Sequence, residues 1–131
     1  MEIKHGNIDI RVEDRIVIAK YIGLFNLEGV QAELEKLKTT ITELPEGPFV
    51  MLVDDLDLEG GTPDAYEAVD QFNIWLQDFP MIAKATVVES TVKLKILEAR
   101  IPSRQRQNSR AFMSMDDARS WLLAQLADAE S

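Results

Sequence analysis

The stretch Phe49-Val50-Met51-Leu52-Val53 decides the fold, and it runs directly into Asp54-Asp55. Its five apolar residues show no polar alternation, which is typical of a strand buried on both faces of a sheet. A strand of that kind needs helices above or below it, and long amphipathic stretches lie on either side of it in the sequence. The chain is therefore predicted to be an α/β protein organised around this strand.

Two strands are predicted ahead of the central one. Residues 7–13 alternate between apolar and polar side chains, and residues 15–22 resume the alternation after a short polar break. Strands this close in sequence pair antiparallel, so the chain opens with a hairpin. The second strand is the more apolar, so it is expected to lie deeper in the sheet and to end at Gly23.

The remaining elements follow from helical and strand spacing. Residues 90–101 fit both periods, but twelve residues ending at Pro102 favour a helix. The order is β-β-α-β-α-β-α-β-α, which predicts a mixed, mostly parallel five-stranded sheet with an N-terminal antiparallel hairpin. The predicted helices cover residues 27–44, 63–79, 90–101 and a stretch opened by Ser114, and the later strands cover residues 49–53, 81–89 and 110–113.

Composition sets the class of protein. The 131 residues suit a single domain, 1–131, and a formal net charge of -9 disfavours nucleic acid or an anionic membrane as a partner. There is no cysteine, no signal peptide pattern and no apolar run long enough to span a membrane. These features predict a cytoplasmic protein that is not an integral membrane protein.

Three local features resemble the STAS-like fold of anti-sigma-factor antagonists. They are the opening hairpin with Gly23, the stretch FVMLVDDLDLEG at 49–60, and RAFMSMDDARSWL at 110–122. The chain is more closely similar to the SpoIIAA-like group of small stand-alone bacterial proteins, which are related in fold to CRAL-TRIO lipid-transfer domains. The resemblance covers nearly the whole chain and implies a regulatory or ligand-binding module, and homodimerisation through an edge strand or a helix face is compatible with it.

The loop after the central strand departs from that family. In anti-sigma antagonists the resemblance implies a phosphorylatable Ser here, but Asp55, Leu56 and Asp57 follow Asp54. A phosphoserine switch works by adding negative charge at a helix N-terminus, where this chain already has carboxylates. The nearby hydroxyl is that of Thr62, which is predicted to cap the following helix, although its reversible phosphorylation stays open.

The acidic loop admits several interpretations. Asp55 and Asp57 after an apolar strand match part of a phosphotransferase motif, which gives a metal-assisted phosphoryl hydrolase as the alternative function. With Glu59 and Gly60 the same residues also resemble a calcium-binding loop. The twelfth position of such a loop is a bidentate Glu, whereas this chain has Tyr66 there. The favoured interpretation is that these carboxylates stabilise a helix N-terminus and keep the loop soluble, so no metal and no cofactor are predicted.

A weak ligand or partner surface is predicted from the loops and from two aromatic residues. The arginines between residues 100 and 110 could hold an anionic ligand or an acidic partner, although such runs are more often solvated. Tyr66 and Trp75 lie off the buried stripe of their helix, at a groove edge or an interface. The candidate surface residues are Asp54, Asp55, Asp57, Thr62, Tyr66, Trp75, Arg100 and Arg104.

The sequence lacks the pairings that catalysis requires. It has a single His, no Cys, and no glycine-rich phosphate loop. The predicted function is therefore a non-catalytic STAS-like module that works through protein contacts or an apolar groove, with a protein or a small apolar or anionic molecule as its partner.

Overall fold

The structure is a computed structural model and describes residues 5–130. Four α-helices and six strands make up this part of the chain, with a short 3₁₀ helix at Pro102–Arg106. The strands are β1 (Asn7–Glu13), β2 (Ile16–Phe25), β3 (Phe49–Asp54), β4 (Leu58–Gly61), β5 (Met81–Val87) and β6 (Ser109–Phe112). The helices are α1 (Leu27–Thr42), α2 (Pro63–Leu76), α3 (Thr91–Arg100) and α4 (Met115–Glu130).

Five of the strands form the main sheet in the order β1-β2-β3-β5-β6. β1 pairs antiparallel with β2, and the pairs that follow along the sheet are parallel. This confirms the mixed, mostly parallel sheet with an opening hairpin. β2 lies inside β1, as its more apolar sequence predicts, and β6 is an edge strand.

The central strand β3 is buried on both faces. Phe49 and Met51 pack into a core beneath α1 and α2, whereas Val50 and Leu52 pack into a second core beneath α4. All four side chains are at most 2% exposed. The uninterrupted apolar run is thus explained by a sheet that is covered by helices on both sides.

The predicted acidic loop contains a strand that the sequence did not indicate. β4 pairs in parallel with the end of β2, after a register shift between Gly23 and Leu24. The prediction that β2 ends at Gly23 was wrong, because the pairing with β4 carries the strand on to Phe25. Gly23 has a φ of 89°, and its N–H donates to the carbonyl of Asp57 at 3.0 Å. A residue without a Cβ adopts this backbone conformation at little cost.

The ambiguous stretch before Pro102 is a helix, as its length favoured. Ser90 caps it, and the Oγ of Ser90 accepts the Lys93 N–H at 3.0 Å. The following segment is not a plain loop as predicted, since it forms the 3₁₀ helix. α1 ends at Thr42 and α2 at Leu76, a few residues before the predicted ends.

Glu33 of α1 joins that helix to the edge of the sheet. It is 6% exposed, and its Oε1 accepts the N–H of Ile8 at 2.9 Å. We expect Glu33→Ala to lower the free energy of unfolding by about 1.5–3 kcal/mol, because a buried backbone donor loses its charged acceptor. Urea denaturation measures the change. Glu35→Ala on the exposed face is the matched control and should change stability by less than about 1 kcal/mol. Equal effects of the two substitutions would contradict this role.

Candidate functional site

A cavity lies between the sheet and the helices that cover its α1–α2 face. The space open to the centre of a water-sized sphere is about 60 Å³, which is room for more than one water molecule. Most of its wall is apolar, and β2, β3, α1, α2 and α3 all contribute to it. The apolar lining residues include Phe25, Val30, Met51, Leu58, Val69, Phe72, Leu97 and Ile101.

Five polar side chains, here called the polar cluster, interrupt this apolar wall: Asp55, Asn73, Lys84, Thr86 and Arg104. Lys84 Nζ donates to Asn73 Oδ1 at 3.4 Å, and an Arg104 Nη donates to Thr86 Oγ1 at 3.5 Å. Both distances are long for hydrogen bonds, so the two cations are only weakly satisfied by the protein.

Asn73 and the 3₁₀ helix hold the cluster in place. The Nδ2 of Asn73 donates to Ser103 Oγ at 3.1 Å, and the Ser103 N–H donates to Asp70 Oδ1 at 2.8 Å. These bonds fix the 3₁₀ helix against α2, and the residue that follows Ser103 is Arg104. The cluster is therefore preorganised by the secondary structure on which it sits.

Two polar atoms of the cluster have no hydrogen-bond partner among the described residues. They are Oδ1 of Asp55 and one terminal nitrogen, Nη1, of Arg104. Asp55 is only 4% exposed, and within the described part of the chain neither cation of the cluster lies within 4.0 Å of its carboxylate. Burial raises the pKa of Asp55 to about 7, although Arg104 and Lys84 oppose the rise.

The cations of the cluster are also strongly desolvated. Lys84 is 6% exposed, and burial, together with the charge of Arg104, lowers its pKa to about 7. Burial lowers the pKa of Arg104 as well, and Asp55 opposes that change. Charged groups buried in this way are costly unless a partner satisfies them, and such groups concentrate at functional sites.

Lys93 of α3 ties the helix to the rim of the cavity. Its Nζ donates to the backbone carbonyls of Asp55 and Leu58, at 3.0 and 2.6 Å, and pairs with Glu89 at 2.8 Å. Because α3 also places Leu97 in the cavity wall, the two carbonyl contacts hold one wall against the loop that carries Asp55.

The structure separates the acidic residues that the sequence grouped together. Asp54 accepts the Leu56 N–H at 3.0 Å, and Asp57 pairs with Lys20 at 3.1 Å on the surface. Asp55 alone of the three lines the cavity. The interpretation of this loop as solvated carboxylates was wrong for Asp54 and Asp55, which are 8% and 4% exposed, because α3 packs against the loop through Lys93.

This separation bears on the alternative function. The phosphoryl hydrolase requires Asp55 and Asp57 to act on one substrate, but one carboxylate lies in the interior and the other in a surface ion pair. Among residues 5–130, no three His, Asp or Glu side chains are grouped so that they could hold a metal ion. The geometry therefore gives this alternative no shared site.

Of the other predicted residues, Tyr66 and Arg104 line the cavity. Arg100 is exposed at the end of α3 and does not line the cavity, so the structure separates it from Arg104. Trp75 packs instead between Phe72 and Phe79, with ring centroids 5.6 and 4.5 Å away. Thr62 caps α2, since its Oγ accepts the Ala65 N–H at 3.3 Å.

Sequence reasoning missed Lys84, Thr86 and Asn73. The signal for the first two was present, because they alternate with Ala83 and Ala85 in a strand predicted to lie inside the sheet. A strand covered on both faces directs every second side chain into one core, so its polar residues face the interior. Asn73 also carried a signal, because it lies four residues after Val69 and three before Leu76, on the buried stripe of α2.

No model of a known protein family matches this sequence, and no curated protein matches it. The structure is similar to an uncharacterized protein of the DUF3478 family with a SpoIIAA-like fold from Shewanella loihica PV-4, with a TM-score of 0.63 and 19% identity. That match covers 93% of this chain and 98% of the other. An anti-sigma factor antagonist from Mycobacterium paratuberculosis matches with a TM-score of 0.60 and 11% identity, over 91% of this chain and 95% of the other.

The fold is therefore SpoIIAA-like, the class that the opening hairpin and the central strand predicted. Within the described residues, every helix is too short or too polar to cross a membrane.

Proposed function

We propose that the chain is a non-catalytic, cytoplasmic regulatory module that binds a small molecule in its cavity and acts through contacts with a protein. The observation that supports ligand binding is the pair of unpartnered buried atoms, Asp55 Oδ1 and Arg104 Nη1, in a mostly apolar wall.

Leaving a buried polar atom without a partner costs about 1–3 kcal/mol, and more when the group is charged. A structural role alone would favour apolar side chains at these positions, since the cavity is already lined by Phe25, Met51 and Phe72. A bound molecule with polar and apolar parts would remove the cost, because it supplies hydrogen-bond partners at one end and fills space at the other.

The regulatory part of the proposal rests on the fold comparison, since one similar structure is an anti-sigma factor antagonist. This chain has no Ser directly after Asp54, and Thr62 serves as a helix cap. We therefore propose that occupancy of the cavity, instead of a phosphoserine, is the signal that a protein partner reads.

Native mass spectrometry of the full chain purified from its host tests this function. We expect a retained molecule that adds its mass to the folded protein and is lost on denaturation. Val69→Phe places extra volume in the cavity wall and should abolish retention, whereas Ile74→Phe, at a site 39% exposed on the same helix, should leave it unchanged.

Two results would contradict the proposal. One is a folded protein with no retained mass, both in the wild type and in the Ile74→Phe control. The other is steady turnover of a phosphoester or ester that Asp55→Asn abolishes, because a binding module has no such activity.

A further inference from the structure

The ionisable side chains of the polar cluster have a net charge of +1. Lys84 and Arg104 contribute two positive charges and Asp55 one negative charge. If the proton of Lys84 passes to Asp55, both groups become neutral and the charge of Arg104 remains. The sum is the same in either arrangement, so the charge that the cavity lacks is a single negative one.

The donors of the cluster suit a planar anion. Arg104 has one terminal nitrogen without a partner, and the other is 3.5 Å from Thr86 Oγ1. A guanidinium presents parallel N–H groups that match the two oxygens of a carboxylate. Among residues 5–130, the hydrogen bond of Lys84 Nζ is its 3.4 Å contact with Asn73, so the ammonium can donate a further bond.

The size of the cavity limits the rest of the molecule. A cavity of about 150 Å³ accommodates benzene, and the space here is about 60 Å³. The enclosed space therefore holds little more than the charged group, and the alkyl end of a short ligand lies towards the open side of the cavity. Phe72 and Leu97 in the wall favour an alkyl end over a second polar group.

On the basis of the proposed function, we propose that the cavity binds a short aliphatic monocarboxylate. Arg104 and Lys84 hold the carboxylate, and the alkyl end packs against Phe72 and Leu97. Inorganic phosphate shares the negative charge, but its dianion exceeds the single charge available and it has no apolar end to fill the wall.

Isothermal titration calorimetry with butyrate, butyramide, n-butylamine and inorganic phosphate tests the assignment. We expect saturable binding of butyrate and at least tenfold weaker binding of each of the others. Arg104→Gln should weaken butyrate binding at least tenfold. Arg104→Lys keeps the positive charge but lacks the parallel N–H groups of the guanidinium, so it should give an intermediate affinity. Arg100→Gln, at an exposed arginine that does not line the cavity, should match the wild type.

The pH dependence of butyrate binding gives a readout on the unmodified protein. Asp55 and Lys84 both titrate close to neutrality, so the cluster gains positive charge as pH falls. The affinity for butyrate should rise between pH 8 and pH 6, while that of butyramide stays flat. The charged and titratable groups that act on these two residues are Arg104, Asp54, Lys93 and Tyr21.

Butyramide, butylamine or phosphate binding as tightly as butyrate would overturn the assignment, and so would unchanged affinity in a folded Arg104→Gln variant. If no member of the series binds but the native protein retains another molecule, the carboxylate assignment fails and the proposed function stands. If there is neither binding nor retention, both fail.

Discussion

Replacing Asp55 by Leu and Lys84 by Met in one chain is expected to raise the free energy of unfolding by about 1–4 kcal/mol at pH 7. Both side chains are almost fully buried, and neither forms a short ion pair within the described residues. Apolar side chains of similar length remove the cost of desolvating two ionisable groups. Urea denaturation measures the gain in the free energy of unfolding, and butyrate binding should weaken in the same variant because Lys84 no longer donates to the carboxylate.

The increase in the free energy of unfolding caused by this double replacement should be largest near pH 7. Burial raises the pKa of Asp55 to about 7, so its contribution to stability is fully present below pH 4 and is lost as pH rises to 7. Burial lowers the pKa of Lys84 to about 7, so its contribution is present above pH 10 and is lost as pH falls to 7. Asp55 and Lys84 together therefore contribute least to the free energy of unfolding at neutral pH. The double variant lacks both ionisable groups, so its stability does not have this minimum.

A matched surface pair provides the control. Asp57→Leu with Lys20→Met removes an ion pair in which both side chains are well exposed, so little change in stability is expected. A double replacement in the cavity that destabilises the protein at pH 7 would contradict the account, because it would mean that the buried charges satisfy one another.

Replacing Leu122 by Ala is expected to lower the free energy of unfolding by about 2–5 kcal/mol. Leu122 is fully buried and belongs to the second core, which lies between α4 and the sheet face that carries Val50 and Leu52. In the described part of the chain α4 is the helix that covers this face, so a void there removes contacts from Val50 and Leu52.

Leu123→Ala is the control for this prediction, because the neighbouring residue on the same helix is 50% exposed. Its effect should stay below about 1 kcal/mol. Equilibrium denaturation with an unchanged m-value would show that the native and unfolded states are otherwise the same. Similar losses in both variants would contradict this account, because Leu→Ala does not lower helix propensity and Leu122 alone of the two is buried.

The fold was largely predictable because its strongest signal is local. Five apolar residues at 49–53 without alternation require cover on both faces, and the helical stripes on either side supply it. β4 was not predictable in the same way, since Leu58–Gly61 ends in two glycines and has little strand character of its own. It exists because the far end of β2 offers an unpaired edge.

The candidate site was predicted only in part, for a related reason. Asp55 and Arg104 were singled out, but both were assigned to the surface. Nothing in their immediate neighbours shows that α3 packs against the loop of Asp55 or that α2 holds the 3₁₀ helix of Arg104, because both are tertiary contacts. Lys84 could have been found from the alternation within β5, and it is the residue that changes the site from an acidic loop to a cluster of opposite charges.

The attachment of α3 by Lys93 has a kinetic consequence. Leu97 is the buried residue of this helix, and Val92 and Ile96 are well exposed, so little apolar area resists its displacement. The two hydrogen bonds from the Lys93 ammonium to backbone carbonyls therefore hold α3 over the cavity. We therefore expect the proposed ligand to leave by displacement of α3, at a rate that is set by the lifetime of those two bonds and exceeds the rate of global unfolding.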